Sequence, residues 1–399
     1  MSAYLIRRFF QMILVVFLSA VVSYALLNFA PGGPMAGLGQ VTQSAHFRIT
    51  EEDIARIRQY FELDLILPVR FSRWFIGEPR GPVTIGGHEF LSSMVIGCRK
   101  PIQENVLDDE GNYVIRTTGC KENVTLADLV GRRTSRGVLF LDFGRSWTTM
   151  RDRPVSVLLL SRLPNTLRLL LIELIISLII GLPLGIYSAV KQYSRFDYFF
   201  TTLAFMGSSM PTFFFGILMI LFFSVIPKIA GLPYLPPGSS EAVRDYIIPW
   251  IGTIKAGSLA DQVLHIILPC LVLVFVSVSG WSRFIRASML DVLRQDYVRT
   301  ARAKGLKERV VIIKHALRNA LIPFVTIIVF SLPGLFGGAL ITETVFSWPG
   351  MGRLYVQSLG NADYPVNMAI LFITAVLTVI ATLLRDVLYT IVDPRIRFN

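Results

Sequence analysis

Asp296-Tyr-Val-Arg-Thr-Ala-Arg-Ala-Lys-Gly-Leu306, continued by His315-Ala-Leu-Arg-Asn-Ala-Leu-Ile-Pro323, lies between two long apolar runs. The surrounding segment 283–318 holds ten Lys or Arg against three Asp or Glu. A basic loop flanked by apolar runs is the pattern of a cytoplasmic loop under the positive-inside rule. Its flanks decide the fold class. Spanning the hydrocarbon core takes about 20 apolar residues in a helix. Six runs meet that need, at roughly 9–29, 164–190, 198–226, 262–282, 319–342 and 366–392. Leu163-Pro164-Asn165-Thr166 opens the second; Pro211 in the third and Pro323 and Pro333 in the fifth mark bends or breaks.

Moving outward, Arg7 and Arg8 precede the first run, Lys191 and Arg195 separate the second and third, and Arg395 and Arg397 follow the sixth. Six spans put all of these, with 283–318, on the cytoplasmic side. The loops 227–261 and 343–365 are then external, with three and one basic residues. A cleaved signal peptide is the competing reading of residues 9–29, but its apolar region would be shorter, about 7–15 residues. The composition agrees: 53% of the 399 residues are hydrophobic and 17% are charged, against about 45–50% and about 25% in soluble domains. The net charge of +12 is therefore read as membrane topology rather than as a nucleic-acid footprint.

Residues 30–163 form one long external segment with seventeen basic and fifteen acidic residues. Thr50-Glu51-Glu52-Asp53 reads as a capping box, followed by Ile54, Ile57 and Phe61 at helical spacing. Gly81 to Gly97 reads as short strands around Gly86-Gly87. Asp108 to Asn112 is a turn signal between β-formers, and a hairpin folded there brings Cys98 opposite Cys120, within reach of a disulfide. Two free thiols in a small β-subdomain is the alternative. Cys270, in an apolar run, reads as a small hydrophobe.

Several chemistries are missing. No Gly-Lys pair occurs, so no phosphate-binding P-loop is present. His46, His88, His265 and His315 lack metal-ligand spacing, and no Gly-x-Ser-x-Gly elbow is found. No metal site and no catalytic group are expected. Glu173 sits inside the second span, where a carboxylate faces a cavity or a partner such as Arg168. With Met206, Ser209 and Pro211 at the bend of the third span, it is a candidate for lining a path, although Met206 also suits plain packing. Arg385 and Asp386 lie near the end of the last span, where snorkelling is expected.

In the basic loop, Ala301 and Gly305 put small residues on one face, one turn apart, among Arg299, Arg302, Lys304 and Lys307. The stretch resembles the coupling loop, or EAA-type motif, of bacterial ABC importer permeases in the peptide and nickel branch. Arg153-Pro154-Val155, Leu163-Pro164-Asn165-Thr166-Leu167, Asp142-Phe143-Gly144-Arg145-Ser146, Glu343-Thr-Val-Phe-Ser-Trp-Pro-Gly-Met-Gly352, Asp363-Tyr364-Pro365 and Asp393-Pro394-Arg395-Ile396-Arg397 resemble that family too, at matching places along the chain. The general motif begins Glu-Ala-Ala where this chain has Arg299-Thr300-Ala301, as is usual in the peptide branch. An extra stretch from about 77 to 137 departs from the family pattern.

The resemblance implies an all-α integral membrane protein with the six transmembrane helices of the type I ABC importer permease fold. A long extracytoplasmic α+β insertion sits between helices 1 and 2. The expected organisation is 1–29 for the N-terminus and first helix, 30–163 for the external segment with its 77–137 subdomain, and 164–399 for the permease core. It also implies a multi-pass chain of the bacterial inner membrane with both termini cytoplasmic. Partners would be a second homologous permease, two ATP-binding subunits or domains, a solute-binding protein outside, and membrane lipid. The chain itself would bind no cofactor, ATP and Mg belonging to the partners. Residues Arg299, Thr300, Ala301, Arg302, Ala303, Lys304, Gly305 and Leu306, with His315, Arg318 and Asn319, would couple to an ATPase. Glu343, Phe346, Trp348, Pro349 and Gly350 would form the family's external loop. The solute would be a peptide, with nickel or another small solute as the alternative in the same family. A gradient-driven carrier or a membrane-anchored receptor are the readings from other classes.

Overall fold

The computed structural model describes residues 2–29, 50–107, 113–331, 334 and 338–392. The turn at 108–112, His46, Pro333 and the closing 393–397 motif lie outside them, as do the side chains of Arg385 and Asp386.

Among the described residues, five helices are long and apolar enough to cross a membrane: Phe10–Phe29, Val155–Val190, Thr212–Ile229, Leu259–Leu293 and Tyr364–Leu384. Taken as one span, the bent pair Glu308–Ala320 with Pro323–Val329, at 47°, makes a sixth. The first lies within α1 (Ser2–Phe29). The second helix is longer than expected. It begins at Val155, directly after Pro154, and carries Pro164 and Pro183 inside it, so Leu163-Pro164 does not open it. The third run is broken rather than bent. A helix over Arg195–Ser209 stops at Met210, whose φ −84 and ψ 127 are extended, and a second helix starts at Thr212. The residue before a proline is pushed out of the α region, and Met210 precedes Pro211.

The fourth helix runs from Leu259 to Leu293, so the first third of the basic segment continues it. The fifth run, 319–342, is not one helix. Leu321 separates Arg318–Ala320 from Ile322–Ser331, whose first turn carries Pro323. Pro fits the first turn of a helix because its missing N–H has no intrahelical acceptor there. A separate helix, Leu340–Val345, follows Gly338 at φ +80.

The described residues form two compact units. One contains residues 1–16, 161–356 and 373–399; the other contains 17–160 and 357–372. The expected 77–137 subdomain is one part of this second unit. There, α2 (Glu51–Tyr60) begins with the anticipated capping box: Asp53 N donates to Thr50 Oγ1 at 3.2 Å and Thr50 N to the Asp53 carboxylate at 3.1 Å. After it comes α3 (Leu67–Ile76), ended by Gly77 at φ +75. Strands β1 (Val83–Ile85) and β2 (His88–Phe90) pair across Gly86 and Gly87, both with positive φ, as a two-residue hairpin turn requires.

Strands β3 (Val95–Leu107) and β4 (Tyr113–Thr125) form the long hairpin, and Cys98 and Cys120 are joined in a disulfide with Cα atoms 5.9 Å apart. The two are not directly opposed: Cys98 pairs with Asn123 and Cys120 with Pro101, because register shifts intervene. Cys98 N donates instead to Asp64 O, and Gly97 is pressed so close to the Asp64 and Leu65 backbone that no Cβ would fit. The bond spans a sequence separation of 22, which on chain entropy contributes about 3 kcal/mol. Cys98→Ser, or reduction of the native protein, is expected to destabilise it by that amount, read as a lower thermal midpoint. A midpoint indifferent to reductant would refute that contribution.

Candidate functional site

Within the first unit, the family-like motifs meet at a buried carboxylate. Glu343 is fully buried and accepts from Thr166 Oγ1 at 2.9 Å, Arg353 N at 3.0 Å and Ala339 N at 3.3 Å. The same Thr166 hydroxyl accepts from Met351 N at 2.7 Å. Trp348 Nε1 donates to Asn165 O at 3.0 Å, and Asn165 Nδ2 donates to Pro349 O at 3.2 Å. A Cβ on Gly350 would collide with the Glu343 carboxylate and the Thr166 hydroxyl, so glycine is required there by contact. Trp348 is buried with Leu169, Ile266, Cys270 and Val274, and Phe346 with Leu268 and Val272. Burial pushes the Glu343 carboxyl above its ordinary range. Glu343, Phe346, Trp348 and Gly350 thus act together as a knot joining the 340–353 loop to the second and fourth helices.

Two further carboxylates hold the helix ends. Asp261, fully buried, accepts from Ala242 N and Gly257 N, each at 2.9 Å, and from Tyr246 OH at 3.0 Å, tying the loop before Leu259 to the helix. Asp197, 2% exposed, takes a two-pronged ion pair from Arg286 Nε at 2.7 Å and Nη2 at 2.8 Å. It also accepts from the Ser188 hydroxyl, Tyr193 N and Thr201 Oγ1. Sequence reasoning misses both aspartates, although a signal exists. Ser194 and Ser258 each precede an Asp by three residues at a helix start, and each hydroxyl accepts from that Asp's N–H.

The basic loop is built on Asp296–Ala303, which ends at Lys304 and turns at Gly305 with φ +73. Val298 and Ala301 face inward and pack with Val311, against Val292 and Leu293. This corrects the expected shared face: Ala301 is buried, whereas Gly305 stands beyond the helix end, with open space where a Cβ would point. Glycine suits the left-handed conformation there. Residues 302–310 form an unbroken exposed run containing Arg302, Lys304, Lys307 and Arg309, with Leu306 and Val310 among them. Arg302 Nη2 meets Glu308 Oε1 at 2.7 Å across the turn. Arg299, Thr300, Ala303 and Arg318 line the same loop, and His315 is half-buried. Asn319 Nδ2 donates to Tyr297 OH and to His315 O, both at 3.0 Å, and Ser288 Oγ donates to Ala320 O at 2.9 Å. The loop is braced back onto the helices on both sides of it.

The path candidates lie on the second helix, for Glu173, and around the break of the third, for Met206, Ser209 and Pro211. Glu173 is buried, 8% exposed, and accepts from Ser177 Oγ at 2.8 Å. Arg168 is instead engaged by Gln262 Oε1 at 2.6 Å and stacks over Trp348 at 5.4 Å. Met206, Ser209 and Pro211 are exposed around the break, with the Ser209 hydroxyl turned back to Phe205 O. In the second unit, Asp363 is fully buried and accepts from Ser146 Oγ and from the backbone N–H groups of Trp147, Thr148 and Thr149. That bond set joins the Asp142–Ser146 and Asp363–Pro365 motifs. No group of three or more His, Cys, Asp or Glu suited to a metal ion occurs among the described residues.

Residues 181–398 match the family described as "Binding-protein-dependent transport system inner membrane component". The oligopeptide transport system permease protein AppB of Bacillus subtilis (strain 168) is 44% identical, over 64% of this chain and 76% of its own length. The dipeptide transport system permease protein DppB of Escherichia coli (strain K12) is 40% identical, over 65% of this chain and 78% of its own. The probable peptide ABC transporter permease protein y4tP of Sinorhizobium fredii (strain NBRC 101917 / NGR234) is 30% identical over 100% of both chains, residues 77–137 included. Among solved structures, the MetNI methionine ABC transporter in inward-facing conformations is similar at 16% identity and a TM-score of 0.45, covering 60% of this chain and 97% of that chain.

Proposed function

The chain belongs to the family of binding-protein-dependent transport system inner membrane components, and from that premise we propose that it is the permease subunit of an ATP-driven importer of peptides. It is a multi-pass membrane protein and not an enzyme: ATP hydrolysis sits in partner subunits. In the proposed assembly it pairs with a second related permease, two ATPase subunits or domains, and an extracytoplasmic solute-binding protein. Both termini and the basic loop face the cytoplasm of a bacterial inner membrane. The peptide assignment rests on the relatives named as oligopeptide and dipeptide permeases.

One observation supports the coupling role most directly: the exposed, basic 302–310 run is carried on a turn whose inner side is packed solid. An ATPase surface docking around Gly305 would push on Val298, Ala301 and Val311, and through them on Val292 and Leu293 at the end of the fourth helix. Close packing transmits such a displacement instead of absorbing it. ATP-driven closure would then move the fourth and fifth helices together and switch the pathway between inward and outward access.

Gly305→Arg tests this. Transport in the reconstituted complex is expected to be abolished, while the permease subunits still assemble. Gly305→Asn separates bulk from backbone, because asparagine tolerates the left-handed conformation, and it should retain most of the uptake. Wild-type uptake in Gly305→Arg would overturn the assignment.

A further inference from the structure

The second unit contains a cavity of about 670 Å³ lined by six arginines but only three carboxylates. Most of the arginine charge is matched or solvated. Arg73 pairs with Glu62, Arg133 and Arg145 pair with Asp152, and Arg132 pairs with Asp64. Arg56 is exposed. The Asp142 carboxylate is committed to the backbone N–H groups of Arg136 and Gly144.

Arg70 is the exception. It is half-buried, and among the described residues it forms no ion pair; its Nη2 donates to the neutral Asn28 Oδ1 at 2.6 Å, and its guanidinium lies beside the Tyr24 phenol. A second lining group has the same deficit. The Trp74 indole N–H is buried and has no hydrogen-bond partner among the described residues. A half-buried cation and an unmatched donor in one cavity leave room for an acceptor-rich anion.

The location narrows which anion. Arg70 and Trp74 both belong to α3, and the Trp74 ring borders an apolar face of that helix. The Phe71 and Phe75 rings lie 6.2 and 5.7 Å from Phe17, and the Trp74 and Phe75 rings lie 6.2 and 6.5 Å from Phe372. Phe17 and Phe372 lie inside the spans Phe10–Phe29 and Tyr364–Leu384. Tyr24 and Tyr364, which also line the cavity, sit toward the ends of those spans. A short helix with aromatics packed on membrane helices and arginines beside them matches an interfacial helix. Tyr and Trp rings concentrate at headgroup depth.

We propose that this cavity binds the phosphate of an anionic phospholipid headgroup, with Arg70 and the Trp74 N–H as its principal donors. A filled site would fix α3, whose aromatic face already packs on Phe17 and Phe372, against the two membrane helices.

Native mass spectrometry of the detergent-purified protein, loaded from a mixture of phosphatidylglycerol and phosphatidylethanolamine, tests this. Wild-type protein is expected to retain phosphatidylglycerol preferentially. Arg70→Gln should cut that retention roughly tenfold, the effect of one charge-assisted contact. Arg80→Gln, an exposed arginine outside the cavity, should leave it unchanged. The thermal midpoint without lipid reports whether Arg70→Gln is folded. If it is not, Trp74→Phe keeps an aromatic ring, removes the donor and should lower retention severalfold. Excess inorganic phosphate should fail to displace the lipid. Equal retention of the two lipids, full retention in a folded Arg70→Gln, or displacement by inorganic phosphate alone would each overturn the lipid assignment, the last in favour of a free-anion site.

Discussion

Replacing Glu343 by alanine is expected to destabilise the protein by about 3 kcal/mol, because it strips the acceptor from buried donors that cost roughly 1–3 kcal/mol each when left unmade. Those donors are Thr166 Oγ1, Arg353 N and Ala339 N. The loss does not sum over all three, since neighbouring contacts are coupled. Glu343→Gln keeps one acceptor oxygen but turns an amide N–H₂ toward a donor, so it should fall between. The pH dependence follows from the direction of the shift. Burial raises the carboxyl above its ordinary range, so between the unfolded and folded values the native state holds more protons than the unfolded state. Stability is therefore fully present below the ordinary carboxylate range and falls as pH rises through the folded value. Thermal midpoints in detergent measured across that window should decline in the wild type and stay flat in Glu343→Gln. A Glu343→Ala variant as stable as the wild type would remove the carboxylate from the centre of this knot.

The second large effect is expected at Asp197. Asp197→Asn preserves size but leaves the Arg286 guanidinium without its counter-charge at a site where the aspartate is 2% exposed. Breaking a buried pair from one side costs about 3–5 kcal/mol. Arg286 keeps a quarter of its side-chain surface, which places this case nearer about 2–3 kcal/mol. Arg286→Leu in the same background should recover part of the loss, and a double-mutant cycle reads the coupling directly. Transport should fall with stability, since Arg286 lies on the fourth helix shortly before the basic loop. Additive single and double variants would mean that the two residues do not act as a pair.

These anchors also separate what is legible in the sequence from what is not. Helix existence is legible, because twenty apolar residues in a membrane leave the backbone little choice but helix. The capping box at Thr50, the Gly86-Gly87 hairpin and the left-handed turn at Gly305 are legible or open to reading for the same reason: each is decided by a few neighbouring residues. Boundaries are less so. The start at Val155 rather than Leu163, and the break at Leu321, depend on which residues pack against the helix ends. The disulfide partners can be read from a hairpin, but their actual register cannot, because Asp64 competes for the Cys98 N–H.

By itself, then, the sequence determined the membrane class, the family and the place of the basic loop along the chain, all of which follow from hydrophobicity, charge and short-range motif chemistry. Only the tertiary structure decided that Thr166, Glu343 and Gly350 share one contact, that Asp363 closes on Ser146, and that Ala301 turns inward while Gly305 stays out. Each of these joins residues whose meeting depends on packing between helices. A buried carboxylate takes whichever donors the fold brings to it, and no local pattern records which ones those are.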